Sequence, residues 1–410
     1  MNHTTIEMFP ANDGDSFLIR FDNGKNIVID MGYKNTFDWH IRKRFEELQS
    51  EGQWIDLLVI THVDDDHIIG AIEFIKENKS SSNPYIIRVG EVWHNSYRHL
   101  QFNKEKGVNL PTTEKKLLEE IIVSNLSNEN VNNNESENIS AEKGSTLAAY
   151  LYCYGYDSDK WNKSFSEMAV NSDTKQLIQM DKDIKIILLS PDTKKLSSLS
   201  RDWLKFLNSQ KYNFTITEDI IFDDAYELYY QKLKNDIVYD ENEDISQIKQ
   251  NVGDTLVSLV DKDIEKVQVD QSITNGSAIS FIIEYKGEKM LFLADSHDDI
   301  IKNNLQKLKE SGYETKFDII KVSHHGSLSN NYEWLELVDG KNYLISTNGA
   351  KHKHPDYRFL VRLIRSNTSN EKTVYFNYPL KKAFELDDPI LKKRYRYSVV
   401  IGSGKKSIII

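Results

Sequence analysis

A chain of 410 residues, 39% hydrophobic and 28% charged, can bury a sizeable core, either as one large decorated domain or as two domains. Its single cysteine, Cys153, excludes an intrachain disulfide framework and fits a reducing cytoplasm; no run approaches the roughly 20 apolar residues that span a bilayer, and the N-terminal MNHTTIEMFP does not read as a signal peptide. The net charge of −11 argues against a general polyanion binder, yet residues 341–410 hold 15 Lys+Arg against 5 Asp+Glu, an excess of +10. That segment either places positive potential beside a phosphate-accepting site or forms only a solvated face.

The apolar stretches SFLIRF, NIVIDMG and IDLLVITH are short, rich in Ile and Val and bounded by NDGD, DNGK and EGQW, which predicts three strands. FDWHIRKRFEEL and IIGAIEFIKEN have helical spacing, so THVDDDHIIG (61–70) falls in a strand-to-helix turn. From 97 to 180 the pattern loosens, and NLSNENVNNNESENIS (125–140) reads as a mobile polar surface loop. IKIILLSP predicts a strand. Residues 192–272, with DWLKFL, DDAYELYYQKL and the acidic YDENEDISQ, read as a second, helical insertion. SAISFIIEYKGEKMLFLAD predicts a hairpin turning near KGEK, followed by the helix DDIIKNNLQKLKES and the strand FDIIKVS. NYLIST, YRFLVRLIRS and TVYFNY continue the alternation as strand, helix, strand. Such mixing predicts a layered α/β architecture with a site along one sheet edge, where four polar strand ends gather: THVDDDH, NGS (275–277), LADSHDD and KVSHHGS.

The crowding in THVDDDH carries the chemistry. On an extended tail His62, Asp64 and Asp66 share one side, and the turn into the helix can swing His67 round to join them. Adjacent carboxylates repel unless a cation lies among them, and imidazole nitrogen with carboxylate oxygen binds divalent metals. The bland alternative is an acidic helix start with incidental histidines.

THVDDDHIIG resembles the first signature of the metallo-β-lactamase fold superfamily, His-x-His-x-Asp-His followed by Gly-Gly. GDSFLIRFDNGKNIVIDMG resembles the N-terminal strands of that fold, with Asp30 and Gly32 in an Asp-x-Gly turn; MLFLADS resembles the strand ending in a bridging carboxylate, Asp295; KVSHHGS and STNGAKHKHP resemble motifs of the ComEC-like hydrolase branch. The resemblance covers about residues 5–355 and implies a four-layered αββα fold over 1–410, with two mainly helical insertions at 97–180 and 192–272. It implies two metal positions: one holding His62 and Asp64, with Asn275 where a third-motif histidine usually stands; the other holding Asp66, His67 and one of His324 and His325. Asp295 would bridge them. Of the adjacent histidines, which on a strand would point in opposite directions, His325 is favoured because it precedes Gly326. Oxygen donors in place of imidazole shift the expected metal toward Mn²⁺, with Zn²⁺ or Mg²⁺ as alternatives.

The chain is expected to be cytoplasmic and, by the same resemblance and the basic segment near the last motif, a metal-dependent hydrolase, most readily a phosphodiesterase or nuclease, in which two cations would acidify a water and Asp66 would belong to the reacting centre. His354, in the His-Pro of KHKHPD, either protonates a leaving oxygen, holds a phosphate or is a loop histidine. His94 either approaches the site or packs under the first insertion, and the aromatic YLYCYGYDSDKW (150–161) either stacks bases or packs internally. His297 and Asp298 read as a helix start and Ser327 as a cap. The insertions could dock a partner protein, and the chain could serve a bacterial DNA-processing or defence system. A small-molecule phosphoesterase with the insertions as lids, and a catalytically silent or partner-activated subunit, are the alternatives; lactam or thioester cleavage also occurs on this fold.

Overall fold

The computed structural model describes residues 3–126, 146–239, 256–261, 268–366 and 371–410. One mixed sheet is built from β1 (Thr4–Met8), β2 (Ser16–Phe21), β3 (Asn26–Met31), β4 (Ile55–Val59) and β5 (Val89–Trp93). The second contains β6 (Leu177–Gln179), β7 (Ile184–Ser190), β8 (Ser280–Tyr285), β9 (Glu288–Phe292), β10 (Lys316–Lys321), β11 (Asp339–Ile345), β12 (Lys372–Phe376) and β13 (Tyr397–Ile401), hydrogen-bonded in the order 13-12-11-10-9-8-7-6. The C-terminal β14 (Ile408–Ile409) returns to the first sheet, whose order is 14-1-2-3-4-5, and covers the edge of β1.

The period of two in the predicted strands sorts their side chains between layers. Phe17, Ile19, Ile27, Ile29, Leu57 and Val59 meet Ile186, Leu188, Phe281, Ile283 and Phe292 between the two sheets. Their neighbours Leu18, Val28 and Leu58 face outward onto helices through Phe37, Ile41, Phe45, Ile68 and Ile75. On the far side Ile187, Ile282, Leu291 and Ile320 pack against Ile300, Ile301, Leu305 and Leu360. Helix, sheet, sheet and helix thus form the αββα sandwich. The helix Asp65–Asn78 sits close on β3 because Gly70 has no side chain: its N–H donates to the Gly32 carbonyl at 2.7 Å, and a Cβ there would lie 3.0 Å from that of Met31.

The stretches read as two insertions share one core. Leu118 and Ile121 of the helix Thr112–Leu126 pack with Leu196, Leu199 and Trp203 of Thr193–Ser209 and with Phe222 and Tyr226 of Ile221–Tyr239. Val63, from the metal-signature turn, belongs to the same cluster. Most of the polar stretch 125–140 and of YDENEDISQ lies outside the described residues. Among those described, no helix is long and apolar enough to cross a membrane.

Candidate metal centre

Asp64 is extended (φ −74°, ψ 142°) and immediately precedes the helix that begins at Asp65, so His62 and Asp64 leave the strand side of the turn while Asp66 and His67 leave its first helical turn. His62 Nε2 lies 3.0 Å from Asp64 Oδ2. The end of β9 delivers Asp295, fully buried, after Ala294 at φ +46°. Its Oδ1 is 3.6 Å from His67 Nε2; its Oδ2 is 3.9 Å from His62 Nε2, 3.7 Å from His324 Nε2 and 3.6 Å from His325 Nε2. Asp66 Oδ2 lies 3.8 Å from His67 Nε2 and 3.5 Å from His325 Nε2. Segments more than 200 residues apart in sequence therefore meet around one carboxylate.

The adjacent histidines do not point in opposite directions. After β10 the chain enters a 3₁₀ turn, His324–Gly326, in which both His324 (φ +41°) and His325 (φ +54°) are left-handed. Period-two geometry does not apply there, and both rings face Asp295. Left-handed non-glycine residues cost of order 1–3 kcal/mol each and collect at functional sites; here Asp30, Ala294, His324 and His325 all border the centre.

Four imidazoles share one device. His67 Nδ1–H donates to Asp30 Oδ2 at 2.8 Å, and His325 Nδ1–H to the Ser346 carbonyl at 2.8 Å. The Thr61 hydroxyl donates to Asp30 Oδ2, so its oxygen accepts from His62 Nδ1–H at 2.9 Å. Asn330 uses its amide nitrogen on Asp270 Oδ2, so its Oδ1 accepts from His324 Nδ1–H at 3.0 Å. In each ring Nδ1–H is thereby committed to an internal acceptor, which leaves Nε2, turned toward Asp295, to hold either a proton or a metal.

Among the described residues no hydrogen bond satisfies either oxygen of Asp295 or the Nε2 of His62, His67 or His325. A buried polar group left so costs about 1–3 kcal/mol, more when charged. Donor atoms of His62, His67 and Asp295, and of Asp66, His67 and His325, lie within 4.8 Å of one another. These residues fit divalent cations: the orphaned atoms converge, and their chemistry is that of hard-to-borderline metal donors.

The electrostatics agree. Burial alone would raise the Asp295 carboxyl, but His325, His324 and His67 hold it well below the usual carboxylate range. Burial would likewise lower His67, whereas Asp295, Asp30 and Asp66 drive it well above its ordinary value; His325, against Asp295 and Asp15, is pushed up to about 9. The carboxylates make the cavity a trap for positive charge.

Several neighbours carried no signal in the sequence. Asp15, read only as part of a turn, is buried with Oδ1 3.6 Å from His325 Nδ1 and forms an ion pair with Lys321. Lys321, also buried, donates to the Ala294 carbonyl at 3.1 Å and stands 3.9 Å from Asp295 Oδ1. Asp270 accepts from Asn275 and Asn330, and His324, His297, Asn275 hold its carboxyl low against burial. GDSF and KVSHH put Asp15 and Lys321 near strand ends, the one hint available; Asp270 had none.

The remaining candidates divide. Asn275 is buried, with its amide nitrogen on Asp270 at 2.7 Å. His354 is buried, its ring centroid 5.2 Å from that of His324, with His352 beside both. His94 belongs to the packing: its Nε2 meets Glu227 at 2.6 Å and its ring stacks on Trp161. Leu151, Tyr156 and Trp161 of the aromatic stretch are core residues. His297 occupies the N-cap position of the helix Asp298–Glu310, and Asp298 accepts the backbone N–H groups of Tyr332, Glu333 and Trp334. Ser327 precedes a 3₁₀ turn without a capping bond.

Sandwich and centre together define the class: an αββα fold with a buried His/Asp cluster whose donor atoms suit divalent cations. The model of the Metallo-beta-lactamase superfamily matches residues 10–105, the segment that supplies Asp15, Asp30 and the first signature. No curated protein matches the chain. Among solved structures it is similar to the Zn²⁺-bound PqqB of Methylobacterium extorquens, with 6% identity and a TM-score of 0.37 over 99% of both chains. It is also similar to a mutant of CmlA β-hydroxylase, with 11% identity and a TM-score of 0.36 over 100% of this chain and 54% of that one.

Proposed function

We propose that this chain hydrolyses a phosphodiester, as a nuclease or related phosphodiesterase, using two divalent cations held by His62, Asp64, Asp66, His67, Asp295 and the His324–His325 pair, with Mn²⁺ favoured over Zn²⁺ and Mg²⁺. Three carboxylates among the donors support Mn²⁺, while the four imidazoles suit Zn²⁺ as the alternative. When bound, such a pair supplies Lewis acidity at a phosphoryl oxygen and lowers the pKa of water.

The observation that carries the substrate class is the loop 348–356, which sets His352 and His354 beside His324 and carries Lys351 and Lys353 in the same stretch. Basic residues in a loop next to an acidic, cation-binding cluster would orient an anion with its charge toward the cations. Much of the rest of the basic C-terminal segment is spent elsewhere: Lys372 donates to the carbonyls of Leu363, Ile364 and Ser366, Arg362 pairs with Glu336, Lys392 with Asp387 and Arg394 with Asp261. Burial pushes His354 down to about 4 despite Asp356 at 3.5 Å, so at neutral pH it is uncharged. It meets a substrate oxygen as a hydrogen-bonding group, and takes up a proton once an anion is beside it.

A second reading is favoured by one observation: Asp64, His67 and Asp295 are 0% exposed, His62 and His324 4% and His354 3%. A centre so enclosed suits a small phosphoester, with the flanking helices as lids and as the surface for any partner. Metal analysis with incubation against single- and double-stranded DNA, RNA and a chromogenic phosphodiester separates the two, with Asp66→Ala and His67→Ala as controls. Cleavage of nucleic acid supports the nuclease. Turnover of the small ester alone selects the second reading, and metal binding with no turnover of any substrate refutes both.

A further inference from the structure

From the same donor cluster, and resting on the metal-dependent reading above, we infer that the two adjacent histidines are divided between the two cations. His324 supplies the nitrogen that Asn275 does not, joining His62, Asp64 and Asp295, while His325 joins Asp66, His67 and Asp295.

His325 belongs to the Asp66 side: donor atoms of Asp66, His67 and His325 lie within 4.8 Å of one another. His324 is tied to the other side through the turn Ile273–Gly276. Thr274 Oγ1 lies 3.5 Å from Asp64 Oδ2, and next to it Asn275 donates to Asp270 Oδ2, the oxygen that also accepts from Asn330. Asn330 in turn accepts from His324 Nδ1–H. The residue standing where the superfamily places an imidazole ligand is thus the far end of a chain, Asn275–Asp270–Asn330–His324, that fixes the orientation of a different imidazole. An amide is a weak metal donor but a good hydrogen-bond relay, so the substitution and the rotated ring make one arrangement. Two consecutive left-handed residues make it attainable, since they bring the Nε2 atoms of neighbours in sequence to within 3.7 Å and 3.6 Å of the same Asp295 oxygen.

Two measurements on the full chain test this. Titration with Mn²⁺ is expected to give about two equivalents and a spin-coupled pair in wild type, and about one equivalent with no coupling in His324→Ala. Two coupled ions in His324→Ala would overturn the assignment. The second needs no variant and so survives a folding defect. In Co²⁺-loaded wild type four imidazole N–H protons, each on an internal acceptor, are expected as hyperfine-shifted exchangeable resonances. Three would overturn it. Wild type binding no metal at all would instead remove the metal-dependent reading on which this division rests.

Discussion

Asp30→Asn tests the tautomer device with the least disturbance of the fold. Asparagine has the shape of aspartate and tolerates the left-handed backbone that position 30 adopts (φ +53°). The carboxylate serves three donors: Thr61 N–H at Oδ1, and the Thr61 hydroxyl and His67 Nδ1–H at Oδ2, each at 2.8 Å. An amide has one acceptor atom, so with its oxygen toward Thr61 N–H it presents N–H to His67 Nδ1–H. Either that bond is lost, or His67 shifts its proton to Nε2 and surrenders the lone pair that faces Asp295. The cost of one such loss is about 1–3 kcal/mol, matching the roughly 10–100-fold loss of metal affinity seen when a ligand's supporting partner is removed. Competition of Mn²⁺ or Zn²⁺ against a chromophoric chelator measures it, with circular dichroism to verify folding. Affinity within about twofold of wild type in a folded variant would refute the idea that Asp30 sets the state of His67.

Gly14→Ala is expected to weaken metal binding and any turnover together, since a Cβ at Gly14 would lie 2.7 Å from the carbonyl carbon and 2.9 Å from Cβ of Asp66; overpacking of this kind costs about 1–3 kcal/mol, read by thermal denaturation alongside metal titration. Metal uptake at pH 7 should release protons, because the buried carboxylates raise His67 and His325 enough to keep both charged until a cation replaces the proton; calorimetry in buffers of differing ionisation enthalpy counts them, and zero release contradicts the expectation. His99 is buried, accepts the Ser96 N–H, and is held well below its usual value by burial and then by Arg98. Its folded form stays neutral, so the unfolded chain binds the extra proton and stability falls as pH drops below about 6.5, by up to about 1.4 kcal/mol per unit. Denaturant titrations from pH 7 to 5 should show a slope shallower by about one proton in His99→Gln, and parallel curves would sink the point.

The layers were legible because SFLIRF, NIVID and IDLLV are short apolar runs bounded by turn residues, as strands covered on both faces require. The donor-bearing turns were legible because histidine and aspartate crowd where apolar runs stop. Two things were not. The direction of His324 depends on backbone dihedrals that the letters HH do not encode, and a strand-based expectation misplaces it. Asp270 sits in an unpatterned stretch, and only the closure of the chain on itself, which brings it to Asn275 and Asn330, reveals its role. The insertions read as two blocks because they are separate in sequence, whereas their apolar faces complete one another in space.

Val63 lies between His62 and Asp64, two of the proposed metal donors, yet buries its own side chain among Tyr97, Trp203 and Tyr226. The alternation that sends its neighbours into the His/Asp cluster sends Val63 into the helical layer, so one short peptide is held from both sides. Trimming those helices to obtain a minimal catalytic unit would therefore unmoor the very loop that such a unit must keep. Conversely, a molecule gripping the helices has a mechanical lever on the proposed donors.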